Sequence, residues 1–176
     1  AFTVGSTKWS DKREDAKTSL EKWDQEPVEM SAIDEAGVAK LAKNETDKLL
    51  VINVWATWCG PCVAELPEFV TMNRMYRKRN FQMITISMDE PDDKAAALKT
   101  LRENNVATTN YLSTITNRDK LADLLDPKWE GPVPYTLVIA PGGKVLYRKS
   151  GPLQSLAVRR AVVDHLGRTY ASRKTN

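Results

Sequence analysis

The most constraining feature of this sequence is its only pair of cysteines, Cys59 and Cys62, which are separated by Gly60 and Pro61. They lie just after the apolar run 49–54, whose Val and Ile residues are typical of a strand buried on both faces. A strand that ends here and turns into a helix places the first sulfur at a helix N-terminus, where free backbone N–H groups favour a thiolate. The pattern therefore predicts a redox dithiol with Cys59 as the nucleophile and Cys62 as the resolving thiol.

The two residues between the cysteines favour a tight turn into a helix. Gly60 lets the backbone turn sharply, and Pro61 has a φ angle already suited to the first helical turn and no N–H left unpaired there. Cys62 is then expected on the same face as Cys59, within the distance of a disulfide bond.

Two other roles for the cysteine pair fit the sequence less well. A structural zinc site needs four ligands, whereas the rest of the chain offers one histidine, His165, and no third cysteine. A static disulfide that closes so short a loop removes little chain entropy and stabilises a fold poorly. The five methionines are expected to fill the core before they bind metal. Thiol–disulfide exchange without a metal or cofactor is therefore the favoured interpretation.

Composition excludes several classes of function. With 176 residues, 41% of them hydrophobic, the chain is long enough for one domain with its own core and an appended segment. The 26 basic and 23 acidic residues are spread along the chain, so no nucleic-acid partner is implied. No apolar stretch approaches the roughly twenty residues needed to cross a bilayer, which indicates a soluble chain as given. The start at Ala1, without a methionine, indicates a processed or excised product.

Periodicity predicts alternating strands and helices after residue 49, and hence a mixed sheet with helices on both faces. The charge-rich residues 1–30 predict a peripheral extension with one helix, or alternatively a partly ordered linker. The predicted strands are 49–54, 81–88, 109–112, 135–140 and 144–148. The predicted helices are 31–43, 62–78, 91–104, 118–125 and 154–166.

Three groups of residues together resemble the thioredoxin superfamily over about residues 49–166. They are the segment 54–62 after an apolar strand, Pro67 eight positions past Cys59, and the segment 133–135 before the fourth strand. The resemblance implies an α/β, thioredoxin-like three-layer fold in which a mixed central sheet is flanked by helices. The expected division is an N-terminal extension over 1–48, the thioredoxin-like domain over 49–170 and a loose tail over 171–176.

Within that superfamily the chain resembles the TlpA/ResA-like branch, because of Asn53, Ala56-Thr57 and the segment 65–67. Cytoplasmic thioredoxins carry a proton-accepting aspartate where this chain has Asn53, and an amide cannot take a proton. The branch places a glutamate six residues after the first cysteine, which implies that Glu65 is the proton acceptor. The alternative is that Glu65 is an ordinary solvated charge on a helix.

The resemblance also assigns residues that bind substrate. It implies a cis peptide bond between Val133 and Pro134, in a loop that lies against the dithiol and pairs with an extended substrate peptide. Without the resemblance a trans bond is expected, since only about 5% of X–Pro bonds are cis in folded proteins. Trp58, with Gly60 and Pro61, is expected to form an apolar docking surface, whereas Trp55 fits simple packing equally well.

The activity implied is thiol–disulfide exchange at the Cys-Gly-Pro-Cys motif, and the Gly-Pro dipeptide favours a reductase. Expected partners are disulfide-containing proteins, cytochrome c apoproteins among them, and a membrane-embedded electron donor of the thiol-reducing type. The expected protein is a monomer that acts in the periplasm or elsewhere outside the cytoplasm, with a membrane anchor in the full-length precursor as an open alternative. Two other functions remain open, namely a peroxiredoxin-like peroxidase and a Cu(I)-handling protein.

Overall fold

A mixed sheet of six strands forms the centre of the protein, whose computed structural model describes residues 17–167. Across the sheet the strand order is β1-β4-β3-β2-β5-β6, in which β1 to β4 run parallel and β5 is antiparallel to both of its neighbours. In chain order the strands are β1 (Ser31–Ile33), β2 (Leu49–Trp55), β3 (Phe81–Ser87), β4 (Thr109–Ser113), β5 (Tyr135–Ile139) and β6 (Val145–Ser150).

Helices cover both faces of this sheet, so the predicted three-layer α/β fold of the thioredoxin type is confirmed. The predicted elements after residue 49 are confirmed with shifts of a few residues at their ends, and a 3₁₀ turn at Pro91–Asp93 precedes the fourth helix. In the described residues the helices are α1 (17–24), α2 (Glu35–Lys43), α3 (Gly60–Tyr76), α4 (Lys94–Glu103), α5 (Arg118–Leu125) and α6 (Ser155–Leu166).

Strand β2 is the central strand, as its apolar sequence predicts, and all seven of its residues are buried. Its side chains alternate between the two faces of the sheet. Val51 and Trp55 pack in the clusters that contain residues of α3, whereas Ile52 and Val54 pack with α2 and α5. The strand therefore ends between two covered faces, and the chain that leaves it must turn directly into α3.

The segment 31–43 differs from the predicted helix. Residues Ser31–Ile33 form an edge strand that pairs with β4, and the helix begins only at Glu35. Asp34 caps this helix, because its side-chain oxygen accepts a hydrogen bond from the N–H of Gly37 at 2.8 Å. Pairing with a distant strand overrides the local helical pattern at the start of the segment.

The described part of the N-terminal segment lies against α3. The Trp23 ring is contacted by the guanidinium groups of Arg74 and Arg77, 5.4 and 5.7 Å from its centroid. Asp24 pairs with Arg74 at 2.8 Å and Glu26 with Arg77 at 2.6 Å. The hydrogen bond from Arg77 is the main reason that the pKa of Glu26 lies below its ordinary value. These contacts join the segment to the helix that carries the cysteine pair.

The expected domain boundary at residue 49 stays a prediction. Within the described residues, β1 and α2 belong to the same sheet and layers as the rest of the fold. The first sixteen residues of the expected extension, the last three of the expected domain and the expected tail over 171–176 lie outside the described residues. Between residues 17 and 167, no helix is both long and apolar enough to span a membrane.

Candidate active site

Cys59 lies at the N-terminus of α3, as the sequence predicts. After β2 the backbone makes a turn in which the N–H of Cys59 donates to the carbonyl of Ala56 at 3.1 Å. Cys59 is the N-cap residue of α3, and its sulfur accepts a hydrogen bond from the N–H of Cys62 at 3.3 Å. The unpaired N–H groups and the dipole of the helix therefore point at this sulfur and favour negative charge on it.

Cys59 and Cys62 form a disulfide, with a distance of 5.3 Å between their Cα atoms. Cys59 keeps 7% of its surface exposed, whereas Cys62 is fully buried. An incoming thiol or disulfide can reach the first sulfur more readily than the second. This difference fits the predicted order of attack, although the catalytic roles themselves remain predictions.

Gly60 does not serve the turn in the way that the sequence led us to expect. It is the first residue of α3, and a Cβ atom added to it would have no other atom within 4 Å. The turn therefore does not require glycine, and the expected reason for Gly60 is wrong. Pro61 lies in the first helical turn, as predicted. The substrate-binding roles of both residues stay predictions.

The bond between Val133 and Pro134 is cis, as the resemblance implies. Val133 is half-buried and packs against the apolar cluster that contains Cys59 and Cys62, so the structure brings this loop and the cysteine pair together. The carbonyl of Pro134 accepts a hydrogen bond from the N–H of Gly151 at 2.9 Å. The loop before β5 is thus connected to the loop between β6 and α6.

Below this loop, Asp126 makes a buried polar network. Its carboxylate accepts hydrogen bonds from the Tyr135 hydroxyl at 2.5 Å and from the Arg148 guanidinium at 2.7 Å. Burial by itself would raise the pKa of Asp126, but these hydrogen bonds outweigh it and hold the pKa below its ordinary value. Trp129 stacks on the Tyr135 ring with 4.7 Å between centroids and donates to the Pro132 carbonyl at 2.9 Å. The sequence motifs gave no indication of this network.

Glu65 is a buried carboxyl group in the second turn of α3. One of its oxygens accepts a hydrogen bond from the N–H of Leu153 at 2.5 Å, and the other has no partner among the described residues. Burial raises the pKa of Glu65 above its ordinary value, and the Leu153 N–H opposes that shift without cancelling it. Glu65 is therefore not a solvated helix charge, and its side chain is positioned by the loop between β6 and α6.

The two tryptophans of the motif have different environments. Trp58 is 59% exposed beside Cys59, and the Arg118 guanidinium lies 5.7 Å from its ring centroid. Trp58 also lines a cavity of about 260 Å³ with residues of the β3–α4 and β4–α5 connections, Asp89 among them. Trp55 is fully buried and packs in the core.

Asn53 is fully buried on the face of β2 that α3 covers, between Val51 and Trp55. Its amide donates to the carbonyl of Tyr135 at 3.5 Å, and its side-chain oxygen has no hydrogen-bond partner in the described part of the chain. Thr136 lies beside it on β5. An amide at this position cannot accept a proton, so Asn53 cannot be the proton acceptor, and the role of Glu65 stays a prediction.

His165 lies far from the cysteine pair. It is exposed in the last turn of α6, whose final carbonyls at Leu166 and Gly167 accept hydrogen bonds from Arg79, just beyond the C-terminal end of α3. Since α3 has 17 residues, its two ends are roughly 25 Å apart at 1.5 Å per residue. Over residues 17–167, no group of three or more His, Cys, Asp or Glu side chains is arranged to hold a metal ion.

A sheet with this strand order, whose central strand is followed by a cysteine pair at the start of a helix, defines a thioredoxin-like protein. The chain belongs to the AhpC/TSA family, whose model matches residues 19–148 and so covers more than half of the sequence.

Curated relatives point to one branch of the superfamily. The thiol-disulfide oxidoreductase ResA from Oceanobacillus iheyensis is 26% identical over 129 residues, which cover 73% of this chain and 57% of that protein. ResA from Bacillus subtilis is 26% identical over 106 residues, covering 60% of this chain and 55% of that one. The chain thus spans about half the length of the curated relatives it matches. The predicted resemblance to the TlpA/ResA-like branch is confirmed.

A solved structure supports the fold. The thiol:disulfide interchange protein, thioredoxin family protein, from Chlorobium tepidum matches with a TM-score of 0.57 and 23% identity. The match covers 72% of this chain and 83% of that chain. At this identity the likeness concerns the architecture, and it confirms the thioredoxin-like fold predicted from the sequence.

Proposed function

We propose that this protein is a thiol–disulfide oxidoreductase that reduces disulfides in proteins outside the cytoplasm. The observation that carries the proposal is the Cys59–Cys62 disulfide, whose less buried sulfur caps α3 beside the exposed Trp58. A structural staple would not need its less buried sulfur at a helix N-terminus. The curated relatives named thiol-disulfide oxidoreductase ResA support the same activity.

In the proposed reaction the reduced protein donates two electrons to its substrate. The Cys59 thiolate attacks one sulfur of the substrate disulfide, a mixed disulfide forms, and the other substrate sulfur leaves as a thiolate that takes up a proton. Cys62 then loses its proton and attacks the Cys59 sulfur, which closes the intramolecular disulfide and releases the second substrate sulfur. The protein becomes oxidised and the substrate becomes a dithiol.

Glu65 is proposed to accept the proton of Cys62 during the second step. The proposal is supported by its place one helical turn beyond Cys62 and by burial, which raises the pKa of Glu65. A carboxyl group with a raised pKa exchanges protons closer to neutrality than a solvated one does. The buried Asn53 cannot serve this purpose.

Substrate binding is proposed to involve both sides of the cysteine pair. Trp58, Gly60 and Pro61 would contact the substrate from the start of α3, and Val133 and Pro134 from the loop before β5. The exposed Trp58 ring supports this, because a large apolar side chain on the surface is a common feature of docking sites. The backbone of Val133 would pair with an extended segment of the substrate.

The substrates would include cytochrome c apoproteins, and a membrane-embedded thiol-reducing donor would return the protein to its dithiol form. The location would be the periplasm or another compartment outside the cytoplasm, with a monomeric protein and a membrane-anchored precursor. The Gly-Pro dipeptide between the cysteines, which the resemblance associates with reductases, supports this direction of electron flow.

Reduction of insulin disulfides in the presence of dithiothreitol tests the activity. The wild-type protein should accelerate insulin precipitation, and Cys59→Ser should abolish the acceleration. Cys62→Ser should instead accumulate a mixed disulfide on Cys59, so the same variant expressed in the native compartment should capture the substrate protein. The proposal is contradicted if the wild-type protein does not accelerate insulin reduction and Cys62→Ser captures no partner.

The same preparations test the two alternatives left open by the sequence. A peroxidase would oxidise its dithiol rapidly with hydrogen peroxide and would consume peroxide catalytically. A copper-handling protein would bind Cu(I) tightly and stoichiometrically without accelerating insulin reduction. Either result would replace the proposed function.

A further inference from the structure

Asp89 is a buried carboxylate just beyond the end of β3, next to the turn that carries Cys59. It is only 3% exposed. Both of its oxygens lie 3.1 Å from the backbone N of Thr57, and one accepts the Thr57 hydroxyl at 2.5 Å. The other accepts the Ser87 hydroxyl at 2.6 Å. One side chain therefore binds Thr57 through both its backbone and its hydroxyl.

Thr57 belongs to the turn that positions Cys59. The N–H of Cys59 donates to the carbonyl of Ala56, which closes the turn around Thr57 and Trp58. At its start the turn is fixed by the N–H of Met88, which donates to the Trp55 carbonyl at 2.8 Å. A displacement of Thr57 would thus move both the exposed tryptophan and the sulfur at the helix N-terminus.

The chemistry of the contacts explains why a carboxylate stands here. The Thr57 N–H can only donate a hydrogen bond, and the Thr57 and Ser87 hydroxyls also donate to Asp89. A carboxylate, which only accepts, can pair with all three donors. Hydrogen bonds to a charged acceptor are shorter and stronger than those between neutral groups. In the described residues Asp89 has no ion pair, so these donors alone stabilise its buried charge.

We propose that Asp89 is a positioning residue for thiol–disulfide exchange, which holds Thr57 so that the Cys59 sulfur stays at the N-terminus of α3. The inference rests on the proposed function and adds a residue to it. Asp89 touches neither the substrate nor the reacting sulfurs through any of these contacts. Its effect on the reaction passes through Thr57 and the turn.

Variants of Thr57 distinguish the effect of its hydrogen bonds to Asp89 from the effect of the Asp89 charge. Thr57→Val removes the hydroxyl and keeps the carboxylate, whereas Thr57→Ser keeps the hydroxyl and is the conservative rescue. Asp89→Asn removes the charge and turns an N–H group toward the donors. Ser87→Ala is the matched control, because it removes the two hydrogen bonds between the Ser87 hydroxyl and Asp89, one to the carboxylate and one from the Asp89 N–H, without touching Thr57.

Two measurements read out the position of Cys59. The first is the second-order rate constant for the reaction of the reduced protein with oxidised glutathione. The second is the pH profile of iodoacetamide alkylation in a Cys62→Ser background, where only Cys59 reacts. A sulfur that leaves the helix N-terminus loses thiolate stabilisation, so the alkylation midpoint should move to higher pH. A loss of overall stability alone would not move it.

We expect Thr57→Val and Asp89→Asn to lower the exchange rate about tenfold, within the range that misplacing a reacting group produces. Thr57→Ser should stay close to the wild type, and Ser87→Ala should have a smaller effect than Thr57→Val. If Asp89→Asn fails to fold, the comparison of Thr57→Val with Thr57→Ser tests the proposal on its own.

Two results would overturn the inference. One is a wild-type rate and alkylation profile in both Thr57→Val and Asp89→Asn. The other is faster exchange and alkylation at lower pH in Asp89→Asn, since removal of a negative charge would then matter more than geometry. In both cases a wild-type protein that still reduces disulfides leaves the proposed function intact, whereas a wild-type protein without exchange activity contradicts that function itself.

Discussion

Glu65 makes the stability of the protein depend on pH. Its folded-state pKa lies above the ordinary value of 4.5 because the carboxyl group is buried. Folding therefore favours the protonated form, and this stabilisation is complete below pH 4.5 and is lost as the pH rises through the raised pKa. Glu65→Gln is neutral at every pH and keeps an acceptor for the Leu153 N–H.

The unfolding free energy of Glu65→Gln, measured relative to that of the wild type, should accordingly be higher at pH 7 than at pH 4. Urea unfolding at the two pH values measures the difference in unfolding free energy. The same variant should slow the closure of the disulfide from the mixed-disulfide intermediate, if Glu65 accepts the proton of Cys62. A stability difference that is equal at both pH values would contradict the burial of an ionisable carboxyl group.

The hydroxyl of Tyr135 stabilises the start of β5 through its hydrogen bond to the buried Asp126. Tyr135→Phe removes this donor and should lower the unfolding free energy by about 1–2 kcal/mol, as expected when a buried carboxylate loses one hydrogen bond. Tyr147→Phe is the matched control, because the buried Tyr147 hydroxyl has no hydrogen-bond partner within the described residues. Equal losses in the two variants would show that the network adds nothing to stability.

At the scale of elements, Gly37 shows how closely α2 packs on β1. A Cβ atom at Gly37 would lie 2.7 Å from Cγ1 of Ile33, far inside normal contact distance. Gly37→Ala should therefore destabilise the fold by about 1–3 kcal/mol despite the better helix propensity of alanine. Gly60→Ala, where an added Cβ meets nothing within 4 Å, is the control for stability and should be close to neutral. Thermal unfolding of both variants measures the contrast.

Local sequence pattern predicts the elements after residue 49, because the helices there are long enough to show their period and the central strand is a continuous apolar run. The bounds of α5 are those that the sequence predicts, and the hairpin of β5 and β6 follows from the turn at 141–143. The strand Ser31–Ile33 escapes prediction, since three residues show no period and this strand exists only through its pairing with β4. Elements fixed by distant partners are the ones that local pattern misses.

The candidate site likewise contains residues that the sequence predicts and contacts between distant residues that it does not. The motif predicts the place of Cys59 at the start of α3, and the resemblance implies the cis bond at Pro134, because both lie within the short segments of this chain that carry the resemblance. The contacts of Asp89 with Thr57 and of Leu153 with Glu65 join residues 32 and 88 positions apart. The sequence analysis did not single out Asp89, whose position just after the predicted strand 81–88 is a signal that could have pointed to it.

At the scale of the whole molecule, the disulfide contributes little to stability. It closes a loop of four residues, for which loss of chain entropy accounts for about 2 kcal/mol at most. Three apolar clusters on the two faces of the sheet provide the main stabilisation. The protein should therefore remain folded in dithiothreitol, with an unfolding free energy lower by no more than about 2 kcal/mol.

Far-UV circular dichroism during urea unfolding, with and without dithiothreitol, measures this difference. The double variant Cys59→Ala with Cys62→Ala should unfold like the reduced wild type. Loss of the folded state on reduction would mean that the cysteine pair acts as a staple, and that result would contradict the exchange reaction proposed for it.

The segment that joins β6 to α6 is attached at two points to the rest of the protein. The N–H of Gly151 binds the carbonyl of Pro134, and two residues later the N–H of Leu153 binds Glu65. Lengthening this connection by even one amino acid would pull one of the two anchors away from its partner. Peptide tags or reporter insertions that are harmless in other surface connections would, at this site, disturb either the carboxyl group proposed to accept the Cys62 proton or the loop proposed to bind the substrate.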